Sequence, residues 1–269
     1  MRHLVFCLFA FCSLNLFARN NTLLDSGWRF FQGDGDATNQ PISRAEMTDT
    51  NWQEVSVPHS WGQVEAQQGD TNYYRGPAWY MRDLNVTPRK DKDKRYFLRF
   101  DAASSVADVY VNGNLVGEHR GAFGAFCFEI TTNLSTTGTN RLQVRVDNSP
   151  QPDIAPLNGD FSFYGGLYRP VHLVETDVNC FTLTDHGSPG VAWLQTSVTK
   201  KQAVLDVTAR ITGGPRSQTL VVVASLFDTN NNCVATAHQS VLVMSNAVEV
   251  PCPLHLTVPK PHLWNGRPD

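Results

Sequence analysis

Apolar and polar residues alternate with a period of two along most of the chain, and no apolar stripe of helical spacing extends over three turns. In Arg95-Tyr96-Phe97-Leu98-Arg99-Phe100, the side chains of Tyr96, Leu98 and Phe100 share one face and those of Arg95 and Arg99 the other, as in a strand covered on one side. Ala107, Val109 and Val111 repeat the pattern. Asn112-Gly113 follows directly, and because both residues accept positive φ the pair predicts a tight turn returning the chain through Leu115 and Val116. Strands are also predicted over 126–130 and 142–146, separated by a cluster of Ser, Thr, Gly and Asn at 132–140. Many short strands joined by such turns predict a sandwich or jelly roll.

A second block follows Val171-His172-Leu173-Val174-Glu175. Leu205, Val207, Ala209 and Ile211 alternate with Asp206, Thr208 and Arg210, giving one buried and one wet face. The run 219–227 is more continuously apolar and predicts a central strand buried on both sides. After the turn at 228–232, strands over 234–243 and 248–258 bring the expected number to about seven, the spacing of an immunoglobulin-like sandwich. The chain is therefore expected to be all-β. A jelly-roll sandwich of the galactose-binding-like type is expected over 19–176 and an immunoglobulin-like sandwich, with an incomplete C-terminal end left open, over 177–269, abutting without a Pro- or Gly-rich linker.

At 269 residues the length suits two domains. The 22 basic and 25 acidic residues nearly balance, so neither nucleic acid nor an anionic membrane is an expected partner, and a small neutral or weakly charged ligand fits better. Residues 1–18 have the form of an export signal: Arg2 and His3 precede an apolar run from Leu4 to Phe17, and Ala18 offers a small residue for cleavage. Ser13 and Asn15 interrupt that run and Arg19 ends it, so it is shorter than the ~20 residues a membrane span needs. The expectation is a secreted or periplasmic protein. Cys127, Cys180, Cys233 and Cys252 follow the leader with no Cys-x-x-Cys spacing, which argues against zinc. Buried free thiols and a Cys233–Cys252 disulfide both stay open.

Several segments, taken in order, resemble the N-terminal region of the family 2 glycoside hydrolases, the group of β-galactosidases, β-glucuronidases and β-mannosidases. They are Gly27-Trp28-Arg29-Phe30, Val57-Pro58-His59-Ser60-Trp61, Tyr74-Arg75-Gly76-Pro77-Ala78-Trp79-Tyr80 and Val109-Tyr110-Val111-Asn112-Gly113 with Val116-Gly117-Glu118-His119-Arg120-Gly121. Asn140-Arg141-Leu142 with Val146-Asp147-Asn148 continues the series, and the segment from Asp160 to Val171, with Gly165-Gly166-Leu167-Tyr168-Arg169 at its centre, is the sharpest match. Gly187-Ser188-Pro189-Gly190 and Pro261-His262-Leu263-Trp264 are similar to the start and end of the family's immunoglobulin-like domain. In such enzymes a catalytic (β/α)8 barrel follows, and no Asn-Glu pair of the kind that carries the family's acid/base occurs in these residues. Retaining glycosidases need two carboxyl groups about 5 Å apart. The resemblance therefore implies the non-catalytic portion of an O-glycosidase, partnered by a barrel absent from this sequence and by a β-glycoside substrate, without a required cofactor in this chain.

The same resemblance implies two substrate-binding residues. Asp160 corresponds to an aspartate that reaches sugar hydroxyls and a sodium ion in β-galactosidases of the family; an ionised carboxylate suits both tasks. Asn72 resembles a loop asparagine that also meets the substrate. Against these stand an Asx-turn role for Asp160 after Asn158-Gly159 and an ordinary loop role for Asn72. Trp79, Tyr80, His59 and Trp61 could stack on a sugar, although core packing is the simpler reading, and Arg169 suits an ion pair or a docking contact. A free-standing carbohydrate-binding module and an extracellular adhesion sandwich remain alternative functions, and an oligomer is compatible with either.

Overall fold

The computed structural model describes residues 19–34, 52–69, 72–86, 88, 94–155, 157 and 162–263. The export signal at 1–18, Asp160 and Trp264 lie outside these residues. Among them, strands dominate, the one α-helix is the short Gln63–Gln67, and no helix is long and apolar enough to cross a membrane.

The first sandwich contains β1 (Arg19–Leu23), β2 (Trp28–Gln32), β3 (Gln53–Val55), β4 (Pro77–Leu84), β5 (Lys94–Phe100), β6 (Val106–Val111), β7 (Asn114–Arg120), β8 (Phe126–Glu129), β9 (Asn140–Asp147) and β10 (Val171–Asp177). One sheet has the order β3-β2-β4-β9-β6-β7 and the other β1-β10-β5-β8, with antiparallel neighbours throughout. Non-sequential neighbours such as β4 with β9 and β10 with β5 require crossings between the sheets, as in a jelly roll. The alternation read from the sequence holds: Leu98, Phe100, Val109 and Val111 are fully buried. Asn112 and Gly113 take φ of 53° and 81° in the β6–β7 turn, as predicted. Trp28, Tyr80, Val144 and Val171 complete a core in which each large side chain contributes about 2 kcal/mol or more by leaving water. Trp79 lies on the opposite face of the six-stranded sheet, buried against Tyr110, so both Trp79 and Tyr80 are packing residues.

The second sandwich contains β11 (Cys180–Phe181), β12 (Val191–Val198), β13 (Gln202–Thr212), β14 (Gln218–Phe227), β15 (Cys233–Val243) and β16 (Val250–Pro259). β13 is paired by β11 and β12 along one edge and β16 along the other, while β14 pairs with β15 in a separate sheet. Two expectations are corrected. Among the described residues, six strands rather than about seven are present and the run 219–227 is not a central strand: β14 pairs there with β15 alone, with Val221 and Val223 62% and 60% exposed. Its apolar run exceeds what the sandwich covers. Cys127, Cys180, Cys233 and Cys252 are all free thiols; Cys233 is exposed at the end of a hairpin while Cys252 is buried in the second core.

Leu183, just after β11, is buried against Phe97, Cys127 and Val174 and joins the two sandwiches. A Cβ on Gly187 would meet the Ala125 backbone at 3.2 Å, so the chain after β11 passes close to β8.

Residues 165–167 are held between two segments of the jelly roll. Trp61 N donates to Gly165 O at 3.0 Å, His59 N to Leu167 O at 2.9 Å and Ser104 N to Gly166 O at 3.1 Å. This approach needs glycine: a Cβ on Gly165 would lie 2.1 Å from the Trp61 ring, and one on Gly166 (φ +131°) 2.4 Å from His59 O. Gly165→Ala is expected to lower unfolding free energy by about 1–3 kcal/mol through overpacking. In urea denaturation Gly124→Ala, whose new Cβ meets nothing within 4 Å, serves as a control with a midpoint near that of the parent.

Candidate functional site

One end of the jelly roll gathers the loops that the sequence singled out. After Asn72, Tyr73 reaches across and its hydroxyl accepts a hydrogen bond from Phe163 N at 2.7 Å. Asn148, 2% exposed, closes the arrangement: its Oδ1 accepts from Gly76 N at 2.8 Å and its Nδ2 donates to Phe163 O at 2.9 Å. Arg75 donates from Nε to Asn148 O at 3.2 Å and places its guanidinium 4.7 Å from the centre of the Phe163 ring, a cation–π contact. Three segments, 72–76, 148 and 162–163, are thus bound into one unit. Asn72 itself is exposed on it.

Beside this unit lies a cleft of about 350 Å³ whose lining includes Arg75, Phe123, Leu157, Phe163, Tyr164 and Tyr168. Phe123 and Leu157 are 63% and 69% exposed. Tyr168 is fixed by a hydrogen bond from its hydroxyl to Ala122 O. Apolar ring faces with a few polar groups at the edge suit the alternating C–H and O–H surfaces of a sugar. The described lining contains no Asp or Glu.

Beneath the cleft, His59 Nδ1 lies 2.8 Å from the Tyr80 hydroxyl and its ring packs 4.7 Å from that of Phe30. Burial holds the imidazole pKa below its ordinary value and raises that of Tyr80. His59 is therefore neutral at pH 7 and structural. Trp61 is 5% exposed and packs on Phe30, which makes it core rather than a sugar platform. Arg169 is exposed, 6.0 Å from the Tyr168 ring centre. Among the described residues no three His, Cys, Asp or Glu side chains gather as a metal site, and Asp160, the residue implied for sodium, falls outside them.

Sequence reading named Asn72 but missed Asn148, Tyr73, Arg75 and Phe163 as the residues that hold its loop. The matched motif containing Asn148 carried a signal; the 72-residue separation of its partner Gly76 hid the role.

The description "Glycosyl hydrolases family 2, sugar binding domain" matches residues 23–177. The chain belongs to glycoside hydrolase family 2. This family 2 chain is 36% identical over 258 residues to a β-glucuronidase of Bacteroides fragilis, covering 96% of this chain and 35% of that protein. A β-galactosidase of Bacteroides ovatus is 28% identical, with 92% and 28% covered. Among solved structures, β-glucuronidase 2 of Bacteroides uniformis, bound covalently to cyclophellitol-6-carboxylate aziridine, superposes with a TM-score of 0.81 at 33% identity, covering 91% of this chain and 29% of that one. The chain thus spans about a third of the length of these relatives.

Two outcomes are expected from this geometry. Asn148→Ala leaves Gly76 N and Phe163 O without their partner and lowers stability by about 2 kcal/mol or more, whereas Tyr73→Phe costs about 1 kcal/mol; urea midpoints measure both. For His59, whose folded pKa is depressed, unfolding takes up a proton more readily than the folded state does. Its contribution is present above the unfolded pKa of about 6.5 and is lost as pH falls through the folded value. Thermal melts from pH 8 to 5 should therefore show a decline that is shallower in His59→Gln.

Proposed function

We propose that this chain is the non-catalytic portion of an exported family 2 β-glycosidase, in which it shapes the wall of the substrate pocket while a (β/α)8 barrel of the same polypeptide hydrolyses the O-glycosidic bond. The observation that carries this reading is the unit tied by Asn148 and Tyr73, a rigid loop platform next to an aromatic cleft whose described lining has no carboxyl group. In this reading it positions a sugar and leaves the cleavage to the barrel. The two carboxyl groups that a retaining mechanism needs about 5 Å apart come from the barrel.

Asn72, exposed on the platform, and Asp160 contact substrate hydroxyls in this reading, and Asp160 also ligates sodium at the rim of the active site. The leader at 1–18 directs export, the division between pocket-shaping and bracing domains falls near residue 177, and the second sandwich braces the barrel. The substrate is a β-galactoside or β-glucuronide, the classes named by the relatives. A second reading, a free-standing carbohydrate-binding module, draws on the aromatic cleft alone.

The test is an assay of nitrophenyl β-galactoside and β-glucuronide with the 269-residue chain and with the polypeptide extended through the downstream reading frame. Activity is expected from the extended form only, and Asp160→Asn in it should lower kcat/KM by about tenfold or more, the cost of about 1.4 kcal/mol of transition-state binding. Absence of a barrel downstream, with calorimetric heat of sugar binding to the chain alone, would replace this reading with the binding module.

A further inference from the structure

The cleft beside the Asn148 platform carries an uneven charge. Arg75 is the one charged side chain of its described lining, and it is exposed. Arg95, Arg120, Arg141, Arg145 and Arg210 each meet a carboxylate. Arg75 meets a carbonyl oxygen and a ring instead: its Nε donates to Asn148 O at 3.2 Å and its guanidinium lies 4.7 Å from the centre of the Phe163 ring. A carbonyl dipole and a ring quadrupole attract a cation without cancelling its charge. The cleft therefore presents a net positive charge to whatever enters it.

The same two contacts fix the geometry of that charge. Nε is occupied, one face of the guanidinium lies against Phe163, and Phe163 is itself tied to Asn148 through Nδ2 at 2.9 Å. The two Nη groups have no partner among the described residues. They form the edge of the fork that binds a carboxylate through two parallel hydrogen bonds. Because the side chain is already held, less conformational entropy is lost when an anion arrives than at a mobile surface arginine.

The rest of the lining suits a sugar ring bearing such a group. Tyr164 and Tyr168 offer aromatic faces, and Ser60 and Ser149 offer hydroxyls. Gln151, also in the lining, is held from behind: its Oε1 accepts from Arg120 Nη2 at 3.1 Å, while Arg120 grips Asp153 through bonds of 3.0 and 2.7 Å. Its Nε2 hydrogens are left to meet a hydroxyl. The cleft of about 350 Å³ lies at the small end of the range for ligand sites, roughly 300–1,000 Å³. Asn72, which meets substrate in the proposed function, does not line it.

We propose that this cleft is a subsite for an acidic sugar residue, whose carboxylate is held by the two Nη groups of Arg75 and whose ring lies against Tyr164 and Tyr168. The acidic residue is a neighbour, in the same glycan, of the sugar that Asn72 meets. The proposal rests on the reading of the cleft as part of a substrate wall and adds the charge of what lies there. The probes are methyl β-glucuronide and methyl β-glucoside, which differ only in a carboxylate in place of a hydroxymethyl group. Each is titrated into the 269-residue chain and followed by magnetic resonance at the Arg75 Nε–H, assigned by its loss in Arg75→Gln. The glucuronide should shift that resonance and bind about tenfold or more tighter than the glucoside. In Arg75→Gln the two should bind alike, and Arg75→Lys, a point charge without the planar fork, should restore only part of the preference. Circular dichroism and urea midpoints report whether the platform survives in both variants, and the comparison of the two glycosides in the parent chain needs no variant to fold. Equal binding of the two by the parent chain overturns the proposal, as does a preference retained in folded Arg75→Gln, which puts the carboxylate elsewhere. Binding of neither at millimolar concentration also overturns it. Activity of the extended polypeptide without this preference would keep the glycosidase reading and remove the subsite, while the preference without activity would do the reverse.

Discussion

The Asn148 carboxamide is bonded at both ends, accepting from Gly76 N through Oδ1 and donating to Phe163 O through Nδ2, with almost no exposure to water. A buried amide bonded on one side only would cost about 1–3 kcal/mol, so the two loops it joins are each held by the other's presence. Everything proposed for the site follows from this constraint. The Arg75 guanidinium lies over Phe163 because the loop of Arg75 is fastened to the backbone of Phe163, and Tyr73 reaches Phe163 N from the same fastened loop. Below, the glycine pair at 165–166 brings the following backbone against His59 and Trp61, anchoring the platform to the hydrophobic core.

The strands of the jelly roll were legible because one face of each meets the core and the other does not. Period-two patterning records that difference, and Asn112-Gly113 marked its turn by a backbone requirement that few residue pairs meet. The same logic misread 219–227, whose apolar run resembles a strand buried on both sides but lies at the margin of a partly covered sandwich. Patterning reports how apolar a strand is, not what covers it. The site was less legible still. Ordered motifs pointed to Asn72 and Asp160, but the residues holding the platform act across separations of 15 to 90 positions, which no local pattern encodes.

Long separation also hides the charge cluster on the outer face of the six-stranded sheet. Arg145, alternating with buried Val144 and Val146, reads as a solvated strand residue, but it is held by Asp34 at 2.7 Å, Asp147 at 3.4 Å and Asp108 at 3.6 Å. Burial raises the pKa of Asp108, partly offset by the guanidinium. Three carboxylates around one cation leave excess negative charge at a half-buried position. The cluster thus fastens the 34 region to β9 rather than deepening the core.

The state of the cysteines has a practical side. Burial pushes the Cys127 thiol pKa up to about 12, so it is almost wholly protonated in any ordinary buffer and unreactive towards oxidants and electrophiles. Cys252 is enclosed in the second core, and Cys233 is the one exposed cysteine among the described residues. Among the described cysteines, a maleimide dye offered to the folded protein would attach first at the tip of the β14–β15 hairpin, where Cys233 stands opposite Phe227. In an oxidising compartment, the same thiol would also be the first of the described four to join two copies covalently.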